Sequence, residues 1–217
     1  MEQLIINDLK DGRFDTPGFI RTAVGTTVDV ATSNPLGGYR DPSLSNLLSG
    51  QSASTSPDVT GWLVSTMNAN ASGAIAGTLR NAYTGGLDSK AAAFLGWAAL
   101  VKGDATWDFK REFREADVLN VTLGCHNYLM DVVANIHYGF VGAASGFSQN
   151  ELLVGAGVAQ IFTGTSHWSY RRSKFDDPDD QAAIQLGYWL YQTYSAEMTE
   201  TQFIQGVNQY HDRLRLP

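Results

Sequence analysis

Three things are scarce in this chain. It has one cysteine in 217 residues, Cys125, so neither an intramolecular disulfide nor a cysteine-rich metal centre can form. A lone thiol is expected to act as a small buried hydrophobe. Its neighbour His126 is no catalytic partner for it, because adjacent side chains in regular structure point apart. Positive charge is also short: 15 Lys and Arg against 22 Asp and Glu leave a net charge of −7, which disfavours a general binder of phosphate backbones. No apolar run reaches the roughly 18 residues of a membrane-spanning helix. The opening MEQLIINDLKDGRFD lacks the basic start and apolar centre of a secretory signal. The expectation is a soluble protein, exported, if at all, without such a signal of its own.

What is present is a globular composition, 43% hydrophobic and 17% charged, in a chain long enough to bury one sizeable core. Residues 1–56 cluster Gly, Pro, Ser, Thr and Asn, as in NPLGGYRDP and SGQSASTSP, and are expected to be an irregular extension or linker. Within them AVGTTVDVAT is the segment suited to a short hairpin. From residue 57 onward the period is helical. Ser56 can cap, Pro57 and Asp58 open the helix, and Val59, Trp62, Leu63 and Met67 form its apolar face. SKAAAFLGWAALVK is apolar nearly all round, as befits a central helix. Ser148 with Glu151 fits a capping box. Asp177, Pro178, Asp179 and Asp180 fit the start of a long helix, and the last helix leaves His211 on the surface. The fold expected is mainly α: one helical domain over 57–217 behind the extension, with any β structure confined to 1–56.

The chemistry is sought in 128–160, where ionisable groups sit among small and apolar residues and should be partly desolvated. His137 is the expected proton-transfer group and Asp131 its orienting or acidic partner. On one continuous helix these two lie roughly 120° apart, so they converge only if the helix ends near Asn135 and Gly139, Gly142 and Gly146 allow a turn. Asp108 and Lys110, flanked by Trp107 and Phe109, are expected at a pocket edge and complete the catalytic set. The rest of their run, Arg111, Glu112, Arg114 and Glu115, has the alternating signs of a solvated, ion-paired face. Asn135, Tyr138, Trp107, Asp177 and Asp180 are the expected substrate contacts. No histidine pair has metal-ligand spacing, and GAGVAQ lacks a full dinucleotide fingerprint. No cofactor is expected, with a divalent cation at Asp176, Asp177, Asp179 and Asp180 as the alternative to simple helix capping.

From about residue 57 to 195 the chain resembles the bacterial polymorphic toxin type 44 family. The likeness is carried in order by TGWLVSTMNANA, KAAAFLGWAALVK, WDFK, DVVANIHYGFVG, GAGVAQ and FDDPDDQAAIQLG. It implies a toxin domain that one bacterium delivers into another on an exported carrier, with an immunity protein as its antidote. The family has been regarded as predicted ribonucleases. Members often carry Tyr directly before the Asp of the His motif. Here Met130 holds that place and the nearest tyrosine is Tyr128, so no role for that tyrosine carries over. Asp131, five residues and His137 are also similar to the spacing in colicin M type toxins, which cleave the lipid-linked cell-wall precursor.

The function expected is therefore an antibacterial effector acting in the periplasm, a hydrolase of peptidoglycan or its lipid-linked precursor using Asp/His chemistry. An acidic protein suits an uncharged glycan. One alternative is a metal-independent ribonuclease in which His137 moves protons and Lys110 or Arg111 stabilises charge. A second is a binding module in which His137 is a core residue.

Overall fold

The computed structural model describes residues 41–101, 105–155 and 178–217. Eight α-helices are numbered here: α1 (Pro42–Leu48), α2 (Thr60–Ser72), α3 (Ala74–Thr84), α4 (Leu87–Val101), α5 (Lys110–Glu115), α6 (Met130–Ala144), α7 (Pro178–Tyr194) and α8 (Glu200–Tyr210). Residues 149–155 are also helical. Between α5 and α6 lies a hairpin of β1 (Asn120–Leu123) and β2 (His126–Leu129).

The most enclosed helix is α6. Twelve of its fifteen residues are buried, and the exceptions are Asp131, Asn135 and Tyr138. It crosses α7 with no side-chain layer between the two. A Cβ on Gly139 would stand 2.1 Å from the Ile184 carbonyl oxygen, and one on Gly187 would stand 2.0 Å from that of Ile136. Only glycine permits that approach. Around this pair the core closes with Leu63 and Met67 of α2, Ile184 and Leu190 of α7, and Phe203 and Val207 of α8.

Several expectations shift. The helix over 130–144 does not end near Asn135: Gly139 and Gly142 serve packing, against α7 and Leu152 respectively. The turn falls at Gly146, whose φ is +93°. Helix α2 starts three residues after the Ser56–Pro57–Asp58 signal because that backbone is used elsewhere. The Thr122 amide donates to the Pro57 carbonyl and the Thr122 hydroxyl to the Ser56 carbonyl, while the Asp58 carboxylate accepts from the Thr60 amide.

The hairpin at 120–129 corrects the confinement of β structure to 1–56; strands of four residues are too short to display an alternating period. The AVGTTVDVAT segment lies outside the described residues. At the hairpin tip Gly124 takes φ +66°, and Cys125 is exposed because a two-residue loop projects its second side chain. It is therefore no buried hydrophobe. Residues 42–48, inside the stretch expected to be irregular, form α1, which is capped by the Asp41 carboxylate and buries Leu44 and Leu48. The Ser148–Glu151 capping box forms as expected.

Candidate functional site

On α6 the three residues that escape burial are spaced i, i+4 and i+7, so they stand one above another on a single face. Each reaches a different element. Lys110 Nζ, at the start of α5, lies 3.3 Å from Asp131 Oδ1, with both side chains 28% exposed. Asn135 Nδ2 donates to Asp180 Oδ1 in the first turn of α7 at 2.7 Å. Tyr138 donates its hydroxyl to the Leu152 carbonyl at 3.1 Å. Two carboxylates, a cation and an amide thus form a chain about one helical turn long, roughly 6 Å.

Beside this chain stands an aromatic cluster. Trp97 packs on Tyr138 with ring centroids 5.1 Å apart and on Trp107 at 5.8 Å. Trp107 is 6% exposed, so it supports the face from behind and offers little ring to a substrate. Asp108 lies 4.0 Å from Arg114, while Lys110 turns to Asp131.

His137 does not join the stripe. It is 1% exposed, its Nε2 is 2.9 Å from Asn70 Nδ2, and its ring meets Phe109 edge-on at 4.8 Å and Trp107 at 5.8 Å. Burial lowers its pKa to about 3, because a desolvated imidazolium is costly. The ring is neutral at pH 7, accepts from the Asn70 amide at Nε2 and so carries its proton on Nδ1. The expected Asp131–His137 pair is not formed. The unbroken helix points the two apart, Asp131 toward Lys110 and His137 toward the core.

Asp176, Asp177 and His167 lie outside the described residues. Asp179 and Asp180 occupy the first turn of α7. Among the described residues no group of three or more His, Cys, Asp or Glu side chains is arranged to hold a metal ion. No described helix is long and apolar enough to cross a membrane. His211, expected on the surface, is half-buried: the Tyr128 hydroxyl lies 2.7 Å from its Nδ1, and His126 stacks on it with centroids 4.0 Å apart. Tyr128 is fully buried, and burial pushes its phenol up to about 12.

Sequence reasoning missed Asn70 and Trp97. An Asn in the apolar-faced α2 was a signal for the first. The second lay in a helix apolar on every side, where no single residue stands out.

Residues 96–193 match the family model described as Bacterial toxin 44. Over that stretch, a little under half of the chain, the protein is similar to the Bacterial toxin 44 domain. The match takes in Trp97, Trp107, Lys110, Asp131, Asn135, Tyr138 and Asp180, whereas α1, α2 and α8 fall outside it. No curated protein and no solved structure matches the chain.

Proposed function

We propose that this toxin is an antibacterial effector that hydrolyses a glycan of the bacterial envelope, with Asp131 and Asp180 as the working carboxylates. The observation that carries this reading is the polar stripe on α6, where Asp131 and Asn135 are one turn apart and Asn135 holds Asp180. A pair of carboxyl groups flanking the scissile bond is the usual equipment for glycoside hydrolysis. Asp180, held by the Asn135 amide, donates a proton to the leaving glycosidic oxygen as the carbon–oxygen bond breaks. Asp131, paired with the Lys110 ammonium, takes the proton from the water whose oxygen bonds to the same carbon. No metal is needed for these steps. A net charge of −7 suits an uncharged sugar polymer better than a polyanion. In this reading the substrate is peptidoglycan, with the lipid-linked precursor as the second substrate to assay. The toxin works in the periplasm of the target cell after delivery on a carrier, and an immunity protein protects the producer.

Purified protein incubated in parallel with isolated sacculi and with labelled RNA, with and without a chelator, tests the reading. Soluble fragments should appear from sacculi, unaffected by chelator, while RNA stays intact. Asp131→Asn and Asp180→Asn should each slow release by about 10² to 10⁴ with unchanged melting. Degraded RNA beside untouched sacculi would overturn it, as would full killing by protein confined to the target cytoplasm.

A further inference from the structure

The short helix α5 is held from two sides. Six residues are far too few for a helix to persist unaided, and no side chain caps its start. Its position is therefore set by what its side chains grip. Phe113 is fully buried in the core and meets Trp62 edge-on at 6.3 Å. Lys110 and Glu112, two residues apart, project about 200° from each other around the axis. Lys110 reaches Asp131 of the α6 stripe. Glu112, on the opposite side and only 7% exposed, reaches α1: its Oε1 accepts from the Asp41 amide at 2.9 Å and its Oε2 from the Ser45 hydroxyl at 3.1 Å.

We infer that Glu112 is a positioning residue for Lys110, and that α1 is part of the machinery of the site although it lies outside the family-matched stretch. A buried carboxylate needs its hydrogen bonds, so the first turn of α1 and the α5 backbone are fixed to one another. With Glu112 held, Lys110 meets Asp131 at 3.3 Å; with it released, α5 can shift on its remaining anchors and the ion pair lengthens. A misplacement of about 1 Å at a reacting group costs up to about 10²-fold in rate. The segment entering the domain at Asp41 is thereby coupled to the carboxylates through a buried side chain. The role in catalysis rests on the proposed reading of Asp131 and Asp180, whereas the coupling itself does not.

The experiment uses the full chain with Glu112→Gln, Glu112→Ala and Ser45→Ala. The reactivity of Lys110 toward reductive methylation is followed by mass spectrometry, with Lys90 as the internal reference. Release from sacculi is measured beside it. Glu112→Ala should make Lys110 react several-fold faster relative to Lys90, and turnover should fall with apparent substrate affinity little changed. Glu112→Gln, which keeps one acceptor, should restore most of both, and Ser45→Ala should give a smaller shift in the same direction. Unchanged Lys110 reactivity in Glu112→Ala, or in Ser45→Ala if the Glu112→Ala variant fails to fold, would overturn the inference. So would an activity loss in Glu112→Ala that simply follows its loss of melting temperature. If sacculi release no fragments, or Asp131→Asn retains full release, the proposed reading of the carboxylates fails, while the labelling still decides the coupling.

Discussion

Acidification should weaken this protein through one side chain. His137 has its pKa lowered to about 3 by burial, whereas an imidazole in the unfolded chain titrates near its ordinary value of about 6.5. Above that value neither state holds the proton, and the buried neutral ring makes its full contribution. As pH falls from about 6.5 toward about 3 the unfolded chain takes up a proton that the folded chain refuses, so stability declines. Below about 3 both states are protonated and the decline stops. At about 1.4 kcal/mol for each pH unit crossed, going from pH 7.5 to pH 5 removes about 2 kcal/mol, and the whole window about 4 to 5 kcal/mol. That is a large part of the roughly 5 to 15 kcal/mol that holds a typical domain together. Urea unfolding of the wild type and of His137→Gln at pH 7.5, 6.5, 5.5 and 5 isolates the effect, since Gln can keep a hydrogen bond to Asn70 but does not titrate. The variant should start about 1 to 3 kcal/mol less stable and the gap should narrow by about 2 kcal/mol at pH 5. Glu151 does not confuse the measurement. Burial pushes its carboxyl up, but hydrogen bonds from Lys90, the Ser148 backbone and hydroxyl, and Tyr83 together outweigh burial and bring it to about 2. Its contribution is therefore lost only between its ordinary value and about 2, below the pH range used. Parallel stability curves for the two proteins would refute the buried, neutral His137.

Two further outcomes follow from the packing. Gly187→Ala places a methyl 2.0 Å from the Ile136 carbonyl oxygen, which neither backbone can yield cheaply; it should cost at least about 1 to 3 kcal/mol, and an unchanged melting temperature would contradict the contact. Asn70→Ala leaves His137 Nε2 buried without its donor and should cost about 1 to 3 kcal/mol, with little further loss when made on top of a His137→Phe background; additive losses in the double-variant cycle would show the two do not act together.

How much of this was legible depends on distance along the chain. The helical period of 130–144 was readable, and with it the stripe, because Asp131, Asn135 and Tyr138 are the polar members at i, i+4 and i+7 of an otherwise apolar run. His137 drew attention away from them. An imidazole among Val, Ala and Ile does have a shifted pKa, and here complete burial lowers it to about 3. The partner of Asn135 lies 45 residues away and no local pattern carries it. The charged run at 108–115 behaves largely as its alternating signs suggest, with Arg111 Nε bonded to Glu115 Oε1 at 2.9 Å. Only Glu112 turns inward, and the reason is α1, which composition alone assigned to a linker. The start of α2 was misplaced by three residues because the backbone of 56–58 is used by a hairpin more than sixty residues later.

The bare crossing of α6 and α7 has a mechanical consequence. Where side chains separate two helices, a rotamer change can absorb an ångström of movement, and substitutions are accommodated by sliding. At Gly139 and Gly187 backbone rests on backbone, so there is no compliant layer and the two helices can be displaced only as one strut. Asn135 and Asp180 ride on opposite members of that strut. A ligand or protein that binds at this crossing is not expected to act by prying the two apart. The soft coordinate of the site is on its other flank, where a helix of six residues carries Lys110.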